Sequence, residues 1–266
     1  MDLPAPFEWR DEHIHAALPG GEVLFSTRRG GVSEGPFASL NLGRLTDDPG
    51  TNVDENRARL AEAVGAPRER FLYGRQVHEA SVRRATEPPG PQRPHAPEDG
   101  QATALEDAPA LVFVADCLPV MLVADGAVAA LHGGWRGLSA GIVAEGAVAA
   151  LHGGWRGLAA GIVPEGAAAL RELGAEGPIQ AALGPSARGC CYEVGEEVHE
   201  VFERYDARVG ERNLDLAKVA RAQLHDAKVD EVHDVWLCSM CWFGLFFSHR
   251  RDRGVTGRQA GVVWRA

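Results

Sequence analysis

The chain has no stretch that approaches the roughly eighteen uninterrupted apolar residues needed for a membrane-spanning helix. Its start, MDLPAPFEWRDEHIHAAL, has neither a basic segment nor an apolar run long enough for a secretory signal, so the expected location is the cytoplasm. Positive charge is scarce: 27 Lys and Arg face 37 Asp and Glu, a net charge of −10. A nucleic-acid or anionic-membrane partner therefore has no electrostatic support, and a small-molecule partner is expected. Cysteine is sparse and odd in number, at five: Cys117, Cys190, Cys191, Cys238 and Cys241. An odd count with two adjacent thiols does not suit a disulfide framework, but suits reduced thiols used as ligands or packing. Despite 32 glycines, no phosphate loop of the GxxxxGKS or GxGxxG kind is present.

What is present is a globular composition over 266 residues, with 45% hydrophobic and 24% charged residues, read as one domain over 1–266. Apolar runs at 23–26, 110–114, 120–123, 127–131, 179–183, 235–237 and 260–264 predict strands. Longer spacing predicts helices over 53–64, 196–205 and 216–226, the last behind the N-cap candidate Asp215. Without strict βαβ alternation, the expected class is α+β, with mixed sheets forming a sandwich-like core flanked by helices. The segment EPPGPQRPHAPEDG (87–100), with five prolines, reads as a surface loop.

Residues 126–145, GAVAALHGGWRGLSAGIVAE, recur as 146–165, GAVAALHGGWRGLAAGIVPE, with differences only at Ser139/Ala159 and Ala144/Pro164. Two copies are too few for a solenoid. The chain therefore carries two HGGWRG segments where one site needs one.

Asp125-Gly126 between two β-prone runs predicts a two-residue hairpin. Counting outward pairs Ala124 with Ala127, Leu122 with Ala129, Val120 with Leu131 and Pro119 with His132. Cys117 lies two residues from Pro119 on the same face, so it becomes a diagonal neighbour of His132, within reach of a shared metal ion. Glu145-Gly146 lacks the same flanking pattern, because 138–143 reads as helical, and His132 is favoured over His152. Spacing alone does not choose a third ligand among His78, His13, His15 and His249. Cys238 and Cys241 have CxxC spacing, but no second such pair completes a structural zinc site, and Cys190, Cys191 and Tyr192 read as core or pocket wall.

Taken together, STRRGGVSEGPFASLNLG (26–43), GRQVH (74–78), ADCLPV (115–120), HGGWRGL (132–138 or 152–158), LGPSARGCCYEVG (183–195), NLDL (213–216) and SHRRDRGVTGRQAG (248–261) resemble the YfiH-type family. That family was long called laccase-domain or multicopper polyphenol oxidase and is now read as purine nucleoside phosphorylases. The resemblance implies metal ligands at His78, Cys117 and His132, with zinc as the metal and copper as the alternative. It also implies phosphorolysis of adenosine, inosine and methylthioadenosine to base and ribose 1-phosphate, and deamination of adenosine. This chain departs from the family at Glu79, where glycine usually follows the histidine.

Three protein ligands leave a fourth position at which an oxygen is polarised. Phosphorolysis needs a phosphate site, for which guanidinium groups are suited by bidentate contact. Arg28, Arg136, Arg250, Arg251 and Arg258 lie inside the family motifs and are the candidates, with Asn41 and Asp116 as ribose contacts or as ligand-orienting groups. Three alternatives compete: a copper-dependent polyphenol oxidase, a non-enzymatic metal-binding protein, and a cysteine hydrolase built on Cys117. A multicopper cluster needs several HxH pairs, whereas His13-Ile-His15 is the one in this sequence.

Overall fold

A computed structural model describes residues 1–89, 97–132, 151–153 and 155–265, with the backbone alone at His132 and 151–153. The expected loop over 87–100 falls partly outside these residues, as do Arg136 and the helix expected at 138–143.

In chain order the strands and helices are β1 (Glu8–Arg10), β2 (His13–Leu18), β3 (Gly21–Phe25), α1 (Gly50–Val64), β4 (Val82–Ala85), β5 (Gly100–Thr103) and β6 (Ala110–Val114). Then come β7 (Leu118–Asp125), β8 (Ala127–His132), β9 (Leu151–Gly153), α2 (Trp155–Ala159), α3 (Ile162–Glu172) and β10 (Glu176–Leu183). The remainder is α4 (Glu196–Val201), β11 (Arg208–Val209), β12 (Asn213–Leu214), α5 (Leu216–Asp226), β13 (Glu231–Asp234) and β14 (Gln259–Trp264).

One sheet has the order β1-β2-β3-β14-β6; the larger has the order β13-β10-β7-β8-β5-β4, with β9 also paired to β7. Parallel pairs β10/β13 and β4/β5 make the larger sheet mixed. The two sheets pack face to face through β6 and β14 against β7 and β8. On the far side of the larger sheet lie α3 and α5, while Leu60, Ala61 and Val64 of α1 cover Leu24, Leu111 and Val262 of the smaller. The α+β sandwich flanked by helices is thus the architecture. Because β7 is covered on both faces, Leu118 and Val120 to Ala124 are all fully buried, and its sequence reads as an unbroken apolar run rather than an alternation.

Gly261 and Gly184 let the two sheets close on Pro119 at the start of β7. A Cβ at Gly261 would sit 3.0 Å from that proline's Cβ, and one at Gly184 would sit 2.6 Å from its Cγ. Helix α5 starts as expected: the Asp215 carboxylate accepts the Ala217 and Lys218 amides.

One expected strand is absent. Residues 235–237 follow β13 as a turn, with Trp236 in the left-handed region at φ 57° and its amide donated to the Asp234 carboxylate at 2.8 Å. Val235 and Leu237 are buried nonetheless, which is why the run looked like a strand. The helix expected over 196–205 ends at Val201, and a short 3-10 turn, Glu203–Tyr205, follows. Strands β1, β4 and β5 carried too few apolar residues in sequence to be anticipated, and β2, whose apolar residues are interrupted by His15, was not expected either.

Candidate active site

The polar residues of interest collect at the end of the sandwich where β6 passes into β7. The turn between these strands holds Asp116 in the left-handed region, at φ 83°. Three loops anchor it: its carbonyl accepts the Ala187 amide, and its carboxylate accepts the Ser239 hydroxyl and the Arg250 amide, each at 2.7 Å. Asp116 is therefore engaged as a positioning group. The next residue, Cys117, is half-buried, a free thiol packed against the main core.

His78 lies on the loop before β4. Gln76 fixes that loop by imitating a neighbouring strand: its amide donates to the Phe113 carbonyl and accepts from the Phe113 N–H, both at 2.8 Å. Asp99 fixes the other side. Its buried carboxylate accepts the amides of Val77, His78 and Glu79 at 3.2, 2.7 and 2.8 Å, holding His78 at φ 73°. Burial pushes the Asp99 carboxyl up to about 7, against these three hydrogen bonds. Neither Gln76 nor Asp99 stood out in sequence. Asp99 sits at the end of the proline-rich segment, whose composition suggested surface, yet Asp99 and Gly100 are buried.

Electrostatic neighbours define the rest of the site. Burial, then the charges of Arg258 and Arg156 and the nearby His249, push the His78 imidazole down to about 4. Burial and Arg258 lower His249 as well, against the opposing charge of Asp116. The Tyr192 hydroxyl is raised by burial, with Arg250 and Arg156 opposing. Arg250 stacks over the Tyr192 ring at 5.2 Å and donates to the Glu193 carbonyl at 2.8 Å. Arg258 is half-buried and donates to the Thr256 and Gly257 carbonyls. His78, His249, Asp116, Tyr192, Arg156, Arg250 and Arg258 thus act on one another in one place.

The other sequence candidates sit elsewhere or play supporting roles. Asn41 is fully buried and fully used: it donates to Thr46 and Asp48 and accepts the amides of Gly43 and Arg258, at 2.9 to 3.0 Å. It thereby seats Arg258. Arg28 lies over Phe247 at 4.5 Å and donates to the Ala38 and Phe243 carbonyls, with Arg251 and Asp252 as its charged neighbours. Arg251 forms a two-point pair with Asp252, each contact 2.7 Å. His13 and His15 are buried on β2, where His15 meets Glu22 at 2.6 Å and Glu8 at 3.3 Å.

Both copies of the repeat reach this site. Pro119 pairs with His132 in β8, the register counted from the Asp125-Gly126 turn, and Pro119 also pairs with His152 in β9. The shared partner follows from the 20-residue spacing between identical segments. The strand half of the first copy fills β8, while the helix half of the second supplies α2 and α3, with Leu158, Ile162 and Val163 fully buried. Arg156, which acts on His78, also belongs to the second copy. The second histidine is thus as well placed in register as the first, contrary to the preference drawn from flanking pattern.

One further group of residues was dismissed in sequence. The thiols of Cys190, Cys191, Cys238 and Cys241 all lie within 4.8 Å of one another. The partner lacking for the CxxC pair is the adjacent Cys190-Cys191 pair, about fifty residues away in the chain and therefore invisible to spacing rules.

An α+β sandwich with its polar residues gathered at the start of a central strand defines the class of protein. The sequence model of the multi-copper polyphenol oxidoreductase laccase family matches residues 22–147 and again 144–266, and the chain belongs to that family. The two matches meet at the boundary between the copies. Similar proteins include the purine nucleoside phosphorylase YlmD of Geobacillus stearothermophilus, 34% identical over 92% of this chain and 90% of that protein. The purine nucleoside phosphorylase of Streptomyces coelicolor is 38% identical, over 92% and 96% respectively. Among solved structures, the hypothetical protein YfiH of Bacillus licheniformis aligns with a TM-score of 0.84 at 25% identity, covering 99% of this chain and all of that one. The YlmD crystal structure aligns at 0.80 and 31%, covering 98% and 99%.

Proposed function

We propose that this protein is a cytoplasmic, single-domain purine nucleoside phosphorylase that also deaminates adenosine, with one metal ion held by His78, Cys117 and His132 or its twin His152. The observation that carries the reading is the gathering of Arg156, Arg250 and Arg258 around His78 and His249, with Cys117 following directly on Asp116, whose carboxylate accepts the Arg250 amide. Three guanidinium groups at a partly exposed site form a receptor for a multiply charged anion such as phosphate. The relatives named as purine nucleoside phosphorylases point the same way. Adenosine, inosine and methylthioadenosine are the proposed substrates, and no nucleic-acid or membrane partner is invoked. Among the described residues no helix is long and apolar enough to cross a membrane.

In the proposed reaction a phosphate oxygen bonds to ribose C1′ as the C1′–N9 bond breaks. The bonding pair leaves with the purine, which takes up a proton. Arg250 and Arg258 hold the phosphate; Asp116 positions Arg250 through its amide, Asn41 seats Arg258, and Arg28 braces the loop that carries Asn41. The donor set fits a metal, because burial and neighbouring cations keep His78 neutral, the form of imidazole that ligates. Imidazole and thiolate suit zinc, with copper as the alternative. Once bound, the metal supplies a Lewis acid that polarises a substrate or water oxygen.

The polyphenol oxidase reading is weaker because, of the one HxH pair, His15 is held by carboxylates on β1 and β3 and His13 accepts the Thr27 amide. Incubating purified protein with inosine and phosphate should release hypoxanthine and ribose 1-phosphate, and the variants H78A and C117A should lose this activity. Oxygen uptake with a phenol, in place of base release, would establish the oxidase instead.

A further inference from the structure

The cysteines that lie apart from His78 form a group of their own. Cys190 and Cys191 occupy the turn after β10; Cys238 and Cys241 occupy the turn after β13. The Cys190 and Cys191 sulfurs stand 3.7 and 3.2 Å from the Cys241 sulfur, and all four lie within 4.8 Å of one another. A tetrahedral zinc tetrathiolate, with Zn–S bonds of about 2.3 Å, has sulfurs about 3.8 Å apart. Small rotations of side chains would bring the group to that spacing.

The arrangement is more than a chance meeting of thiols. The two turns are fastened to each other independently of the thiols. Ser186 pairs with Cys238 as a parallel bridge, through Ser186 N–H to the Leu237 carbonyl at 3.3 Å and Ser239 N–H to the Ser186 carbonyl at 2.9 Å. Arg188 is pinned to Asp234 at 2.5 and 2.9 Å.

We propose that Cys190, Cys191, Cys238 and Cys241 form a structural zinc site, separate from the metal assigned to His78 and Cys117. Binding replaces the thiol protons with one zinc ion and involves no change of oxidation state. All four positions are filled by sulfur, so this ion has no open position for substrate. Its role is mechanical. Tyr192, beneath Arg250, follows Cys191 directly, and Ser239, which donates to Asp116, follows Cys238 directly. Zinc would therefore lock together the two turns that brace the active site from behind.

The test is zinc content by elemental mass spectrometry on the purified full-length protein, its C190S/C191S and C238S/C241S variants, and H78A/C117A. The cysteine variants should each lose one zinc per chain relative to the parent, and H78A/C117A should keep that zinc. Were only the catalytic-metal reading wrong, the total would fall to one zinc, still dependent on the four cysteines. In case the variants misfold, alkylation of the parent protein is followed residue by residue with and without a strong chelator. Zinc should slow modification of all four cysteines together, and cobalt exchanged into the protein should show thiolate-to-cobalt charge-transfer absorption. The proposal is overturned if zinc content is independent of these cysteines, if chelator leaves their alkylation unchanged, or if they are isolated as a disulfide without zinc.

Discussion

Asp99 accepts the backbone amide of His78 at 2.7 Å, and with its other oxygen takes the amides on either side, Val77 and Glu79. One buried carboxylate thus satisfies three consecutive donors of a loop that makes no strand pairing there. An amide in its place can accept through a single oxygen and brings two donors of its own. D99N should cost about 1–3 kcal/mol, the usual penalty for buried donors left unsatisfied. Metal affinity should also fall, by about 10–100-fold, because the residue that orients a proposed ligand is lost. Denaturant unfolding and competition with a coloured chelator measure the two effects. An unchanged affinity would mean that Asp99 supports the loop but not the ligand.

Arg188 and Asp234 form a two-point ion pair whose side chains are 8% and 0% exposed. Arg221 adds a contact at 3.1 Å and the Trp236 amide another at 2.8 Å. Removing the carboxylate strands one buried guanidinium without its partner. D234A should therefore destabilise the protein by about 3–5 kcal/mol. Urea-induced unfolding checks this; a loss below 1 kcal/mol would show that Arg188 finds water or another acceptor.

The fold was legible where one physical signal dominated. An Asp-Gly turn between apolar runs set the β7/β8 register, because a two-residue turn leaves one pairing. Helix α5 was legible from its cap and its periodicity. The site was legible only in pieces. Cys117 and its facing strand position follow from local counting, but His78 needed the resemblance, since its loop is shaped by Gln76 and Asp99 across distances of 37 and 21 residues. Arg28 and Asn41 were candidates through their motifs alone, and sequence could not show that Arg28 donates to backbone or that Asn41 donates to the buried Asp48 carboxylate. The four-cysteine group was invisible because half of it comes from an adjacent pair on a distant turn.

His13 links pH to stability. Burial holds its imidazole below the ordinary value of 6.5, outweighing the nearby Glu12 and Asp11. On acidification the unfolded chain takes up its proton first, so unfolding is favoured as pH falls below 6.5. The contribution is fully present above that value. His78 and His249, both also lowered, act with the same sign. Replacing His13 with glutamine, which cannot titrate, should leave the pH dependence above 6.5 unchanged while flattening part of the loss on the acid side. Unfolding midpoints measured across the range test this, and an unchanged acid slope would remove His13 from the account.

The repeat offers the sharpest test of how the site is built. His132 and His152 have the same register partner, Pro119. Deleting 133–152 joins His132 to Gly153 and restores one uninterrupted HGGWRG between β8 and α2. The deletion removes Leu151 and His152 of β9 but keeps β8, which comes from the first copy, and α2 and α3, which come from the second. Loop length itself costs little, about 0.6 kcal/mol per doubling, so the shortened chain should unfold within about 1 kcal/mol of the parent. Phosphorolysis and metal content should be retained. In the full-length chain, H132A and H152A should each keep activity because the remaining copy takes the position, and the double variant should lose it. Loss of activity in one single variant would assign the position to that histidine and make the other copy an insertion outside the site.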